Sequence, residues 1–130
     1  MELKSQVSVE LLSLVSILAV VLVLVVVLSF VISQQLYTQK ATSGGEDLCV
    51  FLATEINTAA SFGGGYERSF AMPFVYTQFP YSIQFDNSER RVAVNWTEGG
   101  CSQPLLANVS GAIAQGSNFV RFANGVVLLN

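Results

Sequence analysis

Few residues in this 130-residue chain are equipped for acid–base or nucleophilic work. There is no histidine, which removes the commonest general base and the commonest metal ligand. No serine can be activated by an imidazole, so a Ser-His-Asp arrangement is closed, and isolated carboxylates are the only acid–base candidates. Two cysteines, Cys49 and Cys101, allow one disulfide and cannot build a cysteine-only zinc site. Gly63-Gly64-Gly65 has no Lys-Ser/Thr pair after it and is not a phosphate loop. Arg90-Arg91 stands beside Glu89 in a solvated turn, and the formal net charge of −3 includes no long basic run. Neither suits a phosphate backbone. The expectation is a protein that is not an enzyme and uses no metal, cofactor or nucleic acid. What remains is chemistry done to the chain: a polar pattern at Gln6, Ser8 and Glu10, the cysteine pair, and two N-glycosylation sequons, Asn95-Trp96-Thr97 and Asn108-Val109-Ser110.

These residues belong to two segments of different composition. From Leu11 to Ile32, 19 of 22 residues are apolar, against 48 of the other 108. The second proportion is that of an ordinary globular domain. No charge falls between Glu10 and Lys40, and no Gly or Pro precedes Gly44. As a helix the apolar run is roughly 33 Å long, enough to cross a bilayer. It is longer than the apolar region of a secretory signal, and no A-x-A-like site follows Ile32. The helix is expected to continue to Lys40, since nothing before it breaks the pattern.

Gln6-Val7-Ser8-Val9-Glu10-Leu11-Leu12-Ser13-Leu14 fits Q-x-S-x-E-x-x-x-L at every fixed position and abuts the apolar run. In this it resembles the class III signal peptide of archaeal type IV pilin-like proteins. The resemblance implies that a prepilin peptidase cuts between Ser5 and Gln6 on the cytoplasmic side, reading Ser5, Gln6, Ser8, Glu10 and Leu14. Residues 1–5 would be the leader, and the apolar helix would stay in place. Physical chemistry gives Glu10 a matching part. A carboxylate at the head of an apolar helix is costly unless paired, and cleavage would free an amino group at Gln6. The amino group of a neighbouring copy can neutralise Glu10 where helices stack.

Beyond the apolar helix, residues 41–47 (Ala41-Thr42-Ser43-Gly44-Gly45, then Glu46 and Asp47) read as a hinge. Glu46 and Asp47 suit the first turn of a second helix. Leu48, Phe51, Leu52 and Ile56 follow at helical spacing, with Glu55 and Asn57 on other faces, and Gly63-Gly64-Gly65 marks the stop. The period then changes to two. Tyr66, Arg68, Phe70 and Met72 alternate with Glu67, Ser69 and Ala71; Tyr81, Ile83 and Phe85 form one face of a strand, and after the turn at Asp86-Asn87-Ser88-Glu89, Val92, Val94 and Trp96 face one way. Asn124-Gly125 predicts a tight hairpin. Eight of the 14 aromatics lie between Phe62 and Phe85. They read as core-facing residues, the alternatives being a carbohydrate-stacking or inter-subunit surface. Both cysteines fall in this module, outside the membrane, where a Cys49–Cys101 bridge is favoured over two buried thiols. Asn95 lies on the strand face opposite Val92, Val94 and Trp96, toward solvent.

The expected architecture is α+β: a leader (1–5), a hydrophobic transmembrane or filament-core helix (6–40), a hinge (41–47), and a head (48–130) with one helix on an antiparallel sheet of about four to six strands. The resemblance implies a structural subunit of a surface filament supporting adhesion or attachment. Its partners would be other copies of itself, prepilin peptidase, the pilus assembly machinery, and the membrane before assembly. It would be held by one helix with its N-terminus cytoplasmic, then exported into the filament. The alternative is a single-span, membrane-anchored surface protein that binds a sugar or protein ligand without polymerising.

Overall fold

The computed structural model of the chain describes residues 2–72, 79–97 and 99–130, and of residues 2–7 the helical backbone alone. One α-helix, α1 (Glu2–Phe62), comes first. It is followed by seven strands: β1 (Glu67–Ala71), β2 (Ser82–Asp86), β3 (Arg91–Trp96), β4 (Gly99–Pro104), β5 (Asn108–Gly111), β6 (Ser117–Ala123) and β7 (Val126–Leu129). The chain divides into two compact units, Met1–Tyr37 and Thr38–Asn130.

In the first unit α1 is long and apolar enough to cross a membrane. Its large apolar side chains from Leu11 to Leu28 are 52–72 % exposed. The serines in this stretch do not break it, because each hydroxyl is spent on the helix itself. Ser13 Oγ donates to the Glu10 carbonyl, Ser16 to Leu12 and Ser29 to Val25, each at 2.8 Å. Every such bond removes a donor that would otherwise need water.

In the second unit α1 buries Leu48, Cys49, Leu52, Ala53, Ile56 and Ala59, a single stripe at helical spacing. Two sheets enclose that stripe. The four-stranded sheet has the order β1-β6-β7-β5 and the three-stranded sheet β2-β3-β4. All ladders are antiparallel except β5–β7, which is parallel. Phe70, Val92, Val94, Val109, Val120, Val127 and Leu129 close the core from the strand side. The α+β layout of a long apolar helix and a small sheet-bearing head is therefore as the sequence predicts. The hairpin is too: Asn124 and Gly125 take φ of 53° and 79° between β6 and β7, the left-handed pair that a two-residue turn requires. Helix α1 ends at Phe62, and Gly63 (φ 77°) donates its N–H to the Ala59 carbonyl at 3.2 Å, a left-handed C-cap.

Three details differ from the sequence expectations. The hinge at 41–47 is absent, since α1 runs through it and Glu46 and Asp47 sit inside a helix rather than at its start. Gly44 and Gly45 each cost a helix about 1 kcal/mol relative to alanine, yet here the head requires them. A Cβ on Gly45 would lie 2.4 Å from the Trp96 ring, and one on Gly44 2.8 Å from the Tyr81 hydroxyl. Tyr81 donates to the Ala41 carbonyl at 2.9 Å, and its ring meets Trp96 edge-on. The glycines are a seat for two aromatic rings, not a joint. Second, seven strands in two sheets replace the single sheet of four to six. Strand β4 is Gly-Gly-Cys-Ser-Gln-Pro, without apolar alternation, and is a strand because β3 supplies its ladder. Third, Glu55 is not on a face apart from the buried stripe. It is 8 % exposed, and its Oε2 lies 3.3 Å from Arg68 Nη1 of β1, so a charge on β1 lets the buried stripe include a carboxylate.

The seat for Trp96 makes opposite predictions for neighbouring glycines. In thermal unfolding of the full chain, Gly45→Ala is expected to destabilise the head by about 1–3 kcal/mol, because overpacking a confined ring outweighs the helix-propensity gain. Gly44→Ala meets only the far end of Tyr81 and is expected to stay within about 1 kcal/mol of the parent. A stabilised Gly45→Ala protein would refute the packing argument.

Candidate functional site

The residues singled out by sequence fall at separate places. Ser8, Glu10 and Leu14 are exposed positions on α1 in the first unit. Glu10 has no ion-pair partner among the described residues, and its carbonyl is capped by Ser13. The side chains of Ser5 and Gln6 lie outside the described residues. The helix places positions 10 and 14 one turn apart on one side. That leaves a single carboxylate at the margin of an apolar surface with no charge before Lys40.

Cys49 and Cys101 are joined, with Cα atoms 6.4 Å apart and a separation of 52 positions in sequence. The bridge ties the buried stripe of α1 to β4, the strand with the least apolar content. Its position explains why so weak a strand forms: β4 is clamped to the helix by a covalent bond and to β3 by its ladder.

Both sequons present their acceptors. Asn95 is exposed on β3, and its cross-strand neighbours are Ser82 and Gly100, both small, so the side chain is not crowded. Thr97 is exposed as well. Asn108 and Ser110 are exposed on β5, the edge of its sheet, flanking buried Val109.

Other asparagines have structural work that periodicity does not disclose. Asn57 Nδ2 donates to the Pro104 carbonyl at 3.1 Å, and its Oδ1 accepts from Leu106 N–H at 2.8 Å. Asn87 bonds both backbone groups of Val109, at 2.9 and 2.8 Å. Buried Asn118 accepts from Ala114 N–H and from Asn130 Nδ2, both at 2.7 Å. Asn57 and Asn118 so satisfy backbone groups of loops, and Asn87 those of the edge strand β5. Asp86 does the same for the β2–β3 turn. The Ser88 hydroxyl, then the Glu89 and Ser88 N–H groups, donate to its carboxylate and hold it below the ordinary carboxylate range. The adjacent Arg91–Glu89 pair, at 3.7 Å, is open to water. Among the described residues no three His, Cys, Asp or Glu side chains gather as a metal site.

Clefts indent the head, and two of them are lined by described residues. One, of about 590 Å³, is lined by Leu48, Met72, Phe79, Tyr81, Phe85 and Ile113, among others. Met72 and Phe79 flank residues 73–78, which lie outside the described residues and include the aromatics Phe74 and Tyr76. Of the other aromatics of this cluster, Phe70 is in the core and Tyr66, Tyr81 and Phe85 pack on it, as expected, whereas Phe79 and Phe62, the latter 73 % exposed, do not. The second cleft, of about 430 Å³, lies between α1 and β4. Its lining is Val50, Ala53, Thr54, Asn57, Thr58, Ser61, Phe62, Gln103 and Pro104, without a charged residue.

The disulfide carries a stability prediction. Closing a loop of this length removes unfolded-chain entropy worth about 4 kcal/mol. Non-reducing peptide mapping is expected to recover Cys49 and Cys101 as one linked pair, and reduction to lower the unfolding temperature of the head markedly. Recovery of both as alkylated free thiols from unreduced protein would contradict this.

Comparison of the chain with protein-family models, with characterised proteins and with solved structures returns no match.

Proposed function

We propose that this chain is the structural subunit of an archaeal type IV pilus-like surface filament, supporting adhesion or attachment. One observation carries the reading: the Q-x-S-x-E-x-x-x-L pattern runs directly into a helix whose large apolar side chains stay exposed from Leu11 to Leu28. In this reading the bilayer covers that surface first, with the N-terminus cytoplasmic. Prepilin peptidase then removes residues 1–5, and the assembly machinery moves the helix from lipid into a bundle of identical helices. The Cys49–Cys101 bridge suits a head that matures in an oxidising exterior. The exposed sequons at Asn95 and Asn108 would be its glycan acceptors.

Two experiments test the reading. N-terminal sequencing or intact-mass analysis of surface material is expected to give Gln6 as the first residue. Material beginning at Met1, or after Ile32, would overturn the processing step.

The second experiment separates assembly from anchoring. In a membrane monomer Glu10 reaches interfacial water, so its loss is expected to leave insertion and cleavage intact. In a filament core it loses that water and pairs with a neighbour's amino group. Breaking a buried pair costs about 3–5 kcal/mol. Glu10→Ala protein is therefore expected to accumulate in the membrane, cleaved, without entering filaments, whereas Glu10→Asp assembles partially. Normal filaments built from Glu10→Ala as the sole copy would refute the pairing and favour a plain single-span binding protein.

A further inference from the structure

We propose that the groove between α1 and β4 binds neutral saccharides, with Phe62 as the stacking platform. A pyranose ring offers two unlike surfaces: an apolar face of C–H groups and a rim of hydroxyls. Its site must supply a flat apolar wall together with uncharged hydrogen-bonding groups. The groove does both. Phe62, 73 % exposed, lies nearly parallel to Tyr66, with centroids 5.2 Å apart and an interplanar angle of 6°. Stacking on Tyr66 braces the Phe62 ring, so little side-chain entropy is lost on binding.

The polar groups come from the same face of α1. Thr54 Oγ1 donates to the Val50 carbonyl at 2.8 Å, Thr58 to Thr54 at 2.6 Å and Ser61 to Asn57 at 2.7 Å. With their protons spent, the three oxygens remain as acceptors for sugar hydroxyls. Gln103, on β4, adds an amide that both donates and accepts. The volume, about 430 Å³, is that of a small-ligand cleft.

Other occupants fit the lining less well. An ionic ligand finds no counter-charge. A peptide strand added to β4 would meet Pro104, which has no N–H to give. The apolar helix of a second copy offers no donor to the Thr54, Thr58 and Ser61 oxygens and would strip water from the Gln103 amide without replacing it. The saccharide site gives chemical content to the adhesive part of the proposed function and rests on that reading for its cellular setting alone, because every group in it belongs to the head.

The test uses the full chain in a detergent without a sugar headgroup, so filaments are not needed. Saturation-transfer NMR and titration with maltose, cellobiose, lactose and diacetylchitobiose are expected to show transfer to ring C–H protons of at least one probe. Phe62→Ala is expected to weaken that binding about tenfold and Phe62→Trp to preserve it. Thr58→Val, which keeps the shape and removes an acceptor, is expected to weaken it severalfold. No transfer to any of the four probes, or a Phe62→Ala protein that binds as the parent does, overturns the proposal. So does a Phe62→Ala protein that loses only filament assembly, which would make the ring a contact between copies. Sugar binding by a chain that never polymerises would leave this site standing and defeat the filament reading.

Discussion

The apolar side chains of α1 between Leu11 and Ile32 have no cover within the chain, and this constraint governs the rest. Burying a Leu, Val or Ile fully is worth about 1.5–3 kcal/mol, so the 17 such residues left in water forfeit on the order of 30 kcal/mol. That exceeds the whole net stability of a typical domain, about 5–15 kcal/mol. A helix surface of this length and composition is able to span a membrane, and the local sequence agrees with that. Charges stop at Glu10 and resume at Lys40, no Gly or Pro weakens the span, and each serine within it bonds its own backbone. A protein read only as a soluble domain would leave all of this unexplained.

The head meets a different constraint. Its strands are short and some carry little apolar pattern, and several of these elements are attached to α1. Strand β4 is tied by the disulfide, the loop after it by Asn57, and the three-stranded sheet by Tyr81 and Trp96 resting on the helix at Ala41 and Gly45. Helix continuity through 41–47 follows from this docking. Two adjacent glycines are poor helix formers, but a hinge there would withdraw the surface on which both rings lie.

What could be read from sequence follows from the range of each signal. The apolar run, the Gly63 stop, the period-two faces at Ile83 and Phe85 and at Val92 and Val94, and the Asn124-Gly125 hairpin are local patterns. The fold reproduces them. Gly44-Gly45 misleads because glycine marks both flexible joints and close approach, and only the position of Trp96 separates the two. Strands β4 and β5 are invisible for a related reason: their residues carry no pattern, and pairing partners impose the conformation. Glu55 escapes notice because its counter-charge, Arg68, is on another element. The groove on α1 is likewise a product of packing, since Phe62 and Gln103 are 41 positions apart.

One local device serves both ends of α1 with opposite effect. A hydroxyl that donates to the carbonyl one turn back hides a proton and leaves an oxygen lone pair. Where the surroundings are apolar, as for Ser16 and Ser29, the hidden proton matters, because an unsatisfied donor in hydrocarbon costs several kcal/mol, on the order of a lost hydrogen bond. Where the surroundings are water, as for Thr54, Thr58 and Ser61, the exposed oxygen matters, because it gives the groove acceptors without charge. The same bond thus makes one segment fit for a membrane or a helical bundle. In the other it supplies a surface that discriminates against ions and suits polyhydroxylated ligands. Composition around the hydroxyl, rather than the hydroxyl itself, decides which of the two results.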